Sequence, residues 1–326
     1  MGSSMSMNAE ASSFIDAVKE ASKSTDAAVE NGMARESKAT RVRREWWNAR
    51  PKDLPNPGSF DDIRNEVDGM LTPQQFFDGL QFKAFLAPSA VFNLGHGFDL
   101  GSKAVPNNYT LFTTYATQQL VMMSRLDLSG RVFGRIIYMH NPRTTSKVIA
   151  DVGSEPNSSR ATYEVEHRGL DYCSQIKLMS DQSVSLSYMQ SITPTWSAGG
   201  EFAYIGQHSV STTTLALKYQ NETDNASMNV TPGLGMLMMG YVKRLNSASS
   251  LAADFMFNIF SRESISTFGY RYSLEKAMVT GTIDSTGKLS TLYEEKLSPG
   301  LSLLLSGEAD YAKKDFKFGV GFNIGA

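Results

Sequence analysis

The sequence predicts an all-β fold: a transmembrane β-barrel of about nineteen strands with an N-terminal helix inside its lumen. Three observations point there. Near the C-terminus, Phe316, Phe318, Val320, Phe322 and Ile324 share one face of a period-two pattern, and Lys317, Gly319, Gly321 and Asn323 share the other. A bare row of aromatics suits a strand that faces lipid. From Gly79 onward, alternating segments of about ten residues are separated by turn residues. No stretch suits a helical span: long uncharged runs such as 104–124 and 225–242 are broken by Asn, Gln, Pro, Gly or Thr.

Composition narrows the class. The 326 residues allow one large domain and an extension. A net charge of −2 offers no basic field for nucleic acid. A single cysteine, Cys173, excludes an internal disulfide framework. Hydrophobic residues make up 41%, and mean hydropathy is −0.26. Both values look soluble, yet barrels hide from hydropathy because lipid-facing and lumen-facing residues average out. No basic start followed by an apolar run precedes the strands. A barrel without an export signal is expected in mitochondria rather than in a bacterial outer membrane.

Along the chain, residues 1–50 are rich in Ser, Ala, Glu, Lys and Arg and read as a disordered extension. Met1-Gly2 with Ser6 fits a myristoylation pattern, and Arg41, Arg43 and Arg44 form a basic cluster before Trp46 and Trp47. Residues 51–78 form a Pro-rich linker and the inner helix. Pro51, Pro55 and Pro57 stiffen the linker. Ser59 is a candidate N-cap with Asp61 and Asp62 in the first turn, and Phe60, Ile63, Val67 and Met70 follow at helical spacing. A second helix start lies at Thr72, Pro73, Gln74 and Gln75.

The barrel is expected over residues 79–326. Leu80, Phe82, Ala84 and Leu86 share the first apolar face. Strands are then expected near 92–100, 109–117, 120–126, 132–139, 145–152, 163–166, 172–179, 184–192, 201–204 and 213–219. The series continues near 226–230, 234–242, 251–258, 264–272, 277–283, 289–295, 301–309 and 316–324. Turns are expected at Pro88-Ser89, Pro106–Asn108, Ser129-Gly130, Asn141-Pro142, Glu155–Asn157, Asn221–Asn225, Ser285–Gly287 and Pro299-Gly300.

Chemistry of the enzyme kind is not visible. His96, His140, His167 and His208 are scattered, none at ligand spacing, so no metal and no cofactor are expected. No nucleophile elbow or phosphate loop appears. The charges that matter are those opposite the apolar rows. Parity points Asp99, Glu164, Glu166, Glu201, Asp254 and Glu308 inward as acidic pore-lining candidates. It does the same for the basic candidates Arg131, Arg135, Lys177, Arg271 and Lys317. Phe133 and Met256 are inward apolar positions suited to unfolded apolar segments.

Asn56, Pro57, Gly58 and Phe60 resemble the Asn-Pro-Gly-x-Phe segment that opens the inner helix in the channel subunit of the mitochondrial outer-membrane protein translocase, within the mitochondrial porin superfamily. Lys317, Gly319, Phe322 and Ile324 resemble that group's C-terminal sorting signal. The resemblance covers about residues 55–326. It implies nineteen strands with parallel pairing of first and last, and a channel for precursor proteins. The implied partners are precursors with basic presequences, other translocase subunits including small single-helix membrane subunits and receptors, outer-membrane lipid, and a second copy in a homo-oligomer. A lumen with carboxylates attracts basic presequences in a salt-dependent way. Two rivals stay open: a metabolite porin of the voltage-dependent anion-channel type, and a soluble all-β binding protein.

Overall fold

The computed structural model describes residues 54–71, 76–102, 106–153, 158–206 and 209–325. The expected tail with its basic cluster and myristoylation pattern, the second helix start at 72–75, the turn at 155–157 and His208 lie outside the described residues.

The strands run as β1 (Gly79–Ser89), β2 (Phe92–Leu100), β3 (Asn108–Ala116), β4 (Leu120–Asp127), β5 (Val132–Asn141), β6 (Thr144–Val152) and β7 (Arg160–Arg168). They continue as β8 (Tyr172–Met179), β9 (Val184–Ser191), β10 (Trp196–Ile205), β11 (Val210–Gln220), β12 (Asp224–Thr231) and β13 (Met236–Arg244). The wall ends with β14 (Ser249–Asn258), β15 (Glu263–Ser273), β16 (Ala277–Asp284), β17 (Lys288–Ser298), β18 (Leu301–Asp310) and β19 (Asp315–Ile324). All nineteen form one sheet. Each sequential pair is antiparallel, and β1 pairs with β19 in parallel, from Gly79 opposite Gly319 to Ala84 opposite Ile324. The sheet is therefore a closed barrel with no edge strand, so that each strand pairs with a neighbour on both sides within the wall.

The two faces differ as a membrane requires. Outward positions carry exposed apolar side chains strand after strand, among them Leu80, Phe98, Ile136, Leu215, Phe268 and Phe318. Inward positions carry buried polar ones, among them Gln81, Glu166, Gln175, Ser187, Thr280 and Asn323. That is a water-soluble fold inverted. Outward Tyr138, Tyr172, Tyr188, Trp196, Tyr219 and Tyr272 gather where odd strands end and even strands begin. Rings there pair, as in Trp196–Tyr219 at 4.9 Å and Tyr172–Tyr188 at 5.9 Å, forming an interfacial girdle.

Inside the barrel, a 3-10 turn (Asp61–Ile63) leads into α1 (Asn65–Leu71). Seven residues cannot hold a helix alone in water. Val67, Met70 and Leu71 bury against Val242 and Ala252 of the wall, and each such burial contributes about 1.5–3 kcal/mol. The wall makes room with glycine. A methyl at Gly240 would lie 2.7 Å from Val67, and one at Gly269 would lie 2.4 Å from Leu71.

Several boundaries differ from expectation. Ser59 does not cap with its side chain; Phe60 holds the N-cap position, and the Ser59 carbonyl accepts from the Asp62 N–H at 3.2 Å. Ser59 is instead packed away as a residue, at 2% exposure. Pro88-Ser89 belongs to β1, because a register shift between Leu86 and Ser89 absorbs the proline. β13 begins at Met236 rather than Leu234, since Pro232–Leu234 is a 3-10 turn ended by Gly235 in the left-handed region. Asp224 and Asn225 belong to β12, so the turn before it is shorter than expected.

Replacing Gly240 or Gly269 with Val should displace α1 while leaving the wall paired, a cost of roughly 1–3 kcal/mol. The expected readout is a lower Tm in detergent, with new protease cleavage in the segment 54–71 and unchanged β content. A helix that stays protected in both variants would contradict this packing.

Candidate functional site

The site is the lumen face and the segment that crosses it. The segment begins with the Asn-Pro-Gly motif, and each of its residues has a mechanical task. The Asn56 amide nitrogen donates to the carbonyls of Gly169 at 2.8 Å and Tyr172 at 3.1 Å. Its side-chain oxygen accepts from the Gly58 N–H at 2.9 Å, closing a tight local turn. Gly58 has φ +80, a backbone setting that side chains rarely adopt. Prolines have no N–H, so the wall reaches their carbonyls instead. Ser191 donates to the Pro55 carbonyl at 2.6 Å, and Lys218 to the Pro57 carbonyl at 3.3 Å. Phe60 and Ile63 then fill a pocket of Cys173, Met189 and Ala216.

Ion pairs fasten the segment further along. Asp61 accepts from Lys177 at 2.5 Å and from Gln175 at 2.9 Å. Arg64 bridges Asp254 at 2.9 Å and Asp68 at 3.3 Å. Arg244 meets Glu66 at 3.1 Å. Arg271 donates to the Gly69 carbonyl at 2.5 Å, near the C-terminal end of α1, where the helix dipole favours a cation. The more exposed pairs contribute little singly. The Arg64–Asp254 pair is the better shielded, at 15% and 17% side-chain exposure.

The structure places Asp99, Glu164, Glu166, Glu201, Asp254 and Glu308 on the face that also bears the buried polar residues. All but Asp99 are held by cations. Lys147 bridges Glu164 at 2.7 Å and Glu166 at 2.9 Å, and Arg168 also holds Glu166. Glu201 accepts from Ser185 and lies 3.7 Å from Lys177. Glu308 takes Lys288 at 3.0 Å and Lys317 at 3.1 Å. Asp99 accepts from Gln81 at 2.8 Å. The lumen is therefore a surface of compensated charge rather than a row of bare carboxylates.

Among the basic candidates, Arg135, Lys177, Arg271 and Lys317 lie on inward strand positions. Arg131 does not: it sits in the turn before β5, half-exposed and bound by Asp151. Alternation holds only within the strand, and Arg131 lies one residue before β5 begins. Phe133 faces inward beneath the Arg125 guanidinium, 5.9 Å from its ring centre. Met256 faces inward beside Met238. In the terminal segment, Lys317 and Gly319 face the lumen, while Phe322 and Ile324 face outward.

Sequence reading missed Lys83, Lys147, Lys218 and Arg168, all inward by the same parity that found the carboxylates. It also missed Arg64, whose partner is 190 residues away and which no local pattern announces. Among the described residues, no group of three or more His, Cys, Asp or Glu side chains could hold a metal.

Comparison with known proteins follows the same lines. The chain is 28% identical over 284 residues to the probable mitochondrial import receptor subunit TOM40-2 of Arabidopsis thaliana, covering 83% of this chain and 91% of that one. It is 26% identical over 310 residues to the mitochondrial import receptor subunit TOM40 of Saccharomyces cerevisiae, covering 83% and 79%. It is 25% identical over 290 residues to the human TOM40 homolog, covering 83% and 79%. Residues 56–319, from the asparagine of the inner segment into the last strand, match the eukaryotic porin family. Together with the closed barrel, that match shows that the chain belongs to the eukaryotic porin family.

Proposed function

We propose that the chain is the protein-conducting channel of a translocase in the mitochondrial outer membrane. The observation that carries this reading is the similarity, over 83% of the chain, to proteins named as mitochondrial import receptor subunits. The barrel gives the reading its physics. An apolar outer band suits lipid, and a polar inner face suits a hydrated path for an extended chain. The inner segment narrows that path and is fastened at both ends, so it acts as part of the wall.

The substrates in this reading are precursor proteins with basic, amphipathic presequences. Asp99, Glu201 and Glu308 supply negative potential along the path, and the cations beside Glu201 and Glu308 keep it from becoming a trap. Weak, distributed sites let a chain both enter and leave. Phe133 and Met256 offer apolar contact to unfolded segments. The working assembly adds outer-membrane lipid, small single-helix membrane subunits, receptors and a second copy of the barrel. Phe322 and Ile324, with Lys317 and Gly319, serve as the sorting signal for membrane insertion.

The test is single-channel conductance of the refolded full chain in a planar bilayer. A large cation-preferring pore, blocked by a basic presequence peptide in a voltage-dependent way, is expected. A pore indifferent to the peptide and selective for anionic metabolites would overturn the reading in favour of a metabolite porin.

The combined variant Asp99→Asn, Glu201→Gln and Glu308→Gln should raise the half-blocking peptide concentration about tenfold at low salt. The difference should shrink as ionic strength approaches physiological values, where the Debye length falls to about 8 Å. Block that is unchanged at every salt concentration would remove these carboxylates from the mechanism.

A further inference from the structure

The junction between β1 and β19 is the one strand pair that no connecting turn holds in register. Its lipid face cannot set the register. Leu80, Phe82 and Ala84 lie opposite Val320, Phe322 and Ile324. A slip of two residues would put Phe318 or Phe322 opposite Leu80 and leave that face apolar, because the side-chain period is two. Discrimination must come from the lumen face, where the rungs are Gly79–Gly319, Gln81–Gly321 and Lys83–Asn323.

Phe77 lies across two of those rungs. A methyl at Gly319 would be 2.4 Å from the Phe77 carbonyl oxygen and 2.7 Å from its ring; one at Gly321 would be 2.9 Å from the ring's tip. The Phe77 N–H donates to the Ser306 hydroxyl at 3.1 Å, and Ser306 is the rung partner of Gly319 on β18. Ser102, beyond β2, donates to Asp78 at 2.5 Å. Gly79, at φ +81, then turns the chain into β1. Phe77 is thus held against β18 and β19 immediately before β1 begins.

We propose that Phe77 is the register-determining residue of the seam. Its ring reads two adjacent inward positions without side chains. On the inward face of β19, Lys317, Gly319, Gly321 and Asn323 follow in order, so Gly319 and Gly321 are the only such pair. A slip of two in either direction puts the side chain of Lys317 or Asn323 beneath the ring. Gly319 thereby has a task in the finished barrel that is separate from any part in sorting, and the inference stands whatever passes through the pore.

The test traps the register by oxidation in the full chain refolded in detergent, on a Cys173→Ala background. Leu80→Cys with Val320→Cys reports the native rung. Leu80→Cys with Phe318→Cys, or with Phe322→Cys, reports a slip of two in either direction. With Phe77 present, only the native pair should close. Phe77→Ala should raise the slipped fraction about tenfold, equivalent to about 1.4 kcal/mol of register preference, and Phe77→Tyr should restore the native pattern. Native pairing alone in Phe77→Ala overturns the proposal. Should that variant yield no folded barrel, Gly321→Ala, which crowds the ring, takes its place. Slipped product there supports the proposal, and native pairing alone overturns it.

Discussion

A β-sheet in hydrocarbon cannot keep an open edge, since each unpaired backbone group there costs several kcal/mol. The rest of this structure depends on how that edge is closed. Sequential antiparallel strands alternate direction, so an odd number leaves the first and last pointing the same way. With nineteen strands the closing pair has to be parallel, as β1 and β19 are. Parallel bonds are slanted and slightly weaker per residue. The seam is therefore the place where the barrel most needs help from side chains, and it is where glycines, Phe77 and the buried Lys83 and Asn323 converge.

Closure also creates the lumen, and the lumen explains the inner segment. A seven-residue helix has too few hydrogen bonds to persist alone. It survives because Phe60 and Ile63 before it and Val67, Met70 and Leu71 on its own face reach apolar pockets in the wall. Between them the contacts are polar, and the backbone carbonyls of Pro55, Pro57 and Gly69 are taken by wall side chains. Such a segment is part of the wall's own accounting of hydrogen bonds. A chain moving past it meets a compensated, hydrated surface, which favours passage over retention.

Much of the wall was legible from period two alone. β8 and its neighbours begin and end within a few residues of where alternation and turn residues place them. The failures have local causes. A proline at the end of β1 reads as a turn, but a bulge accommodates it. Leu234 reads as the start of a strand, but it ends the 3-10 turn that Pro232 and Gly233 begin. Ser59 reads as a cap because of its type and position, yet the segment's start is fixed by distant contacts. Asn56 reaches Gly169 and Tyr172, 113 and 116 residues away. No pattern of neighbours carries that information.

The sequence by itself determined the strand rhythm, the two unlike faces and the inward placement of most charged residues, because those follow from the backbone's own geometry. The Asn-Pro-Gly segment was visible as a motif that carries a family resemblance, while the turn it closes, with the Gly58 N–H donating to the Asn56 side chain, came from the structure. Only the tertiary structure decided which cation meets which carboxylate, where the inner helix rests and in which register β1 meets β19. Those are contacts between residues far apart in the chain, such as Arg64 with Asp254 and Phe77 with Ser306. They exist only once closure brings the two ends of the sheet together, and closure is a property of the whole wall rather than of any one strand.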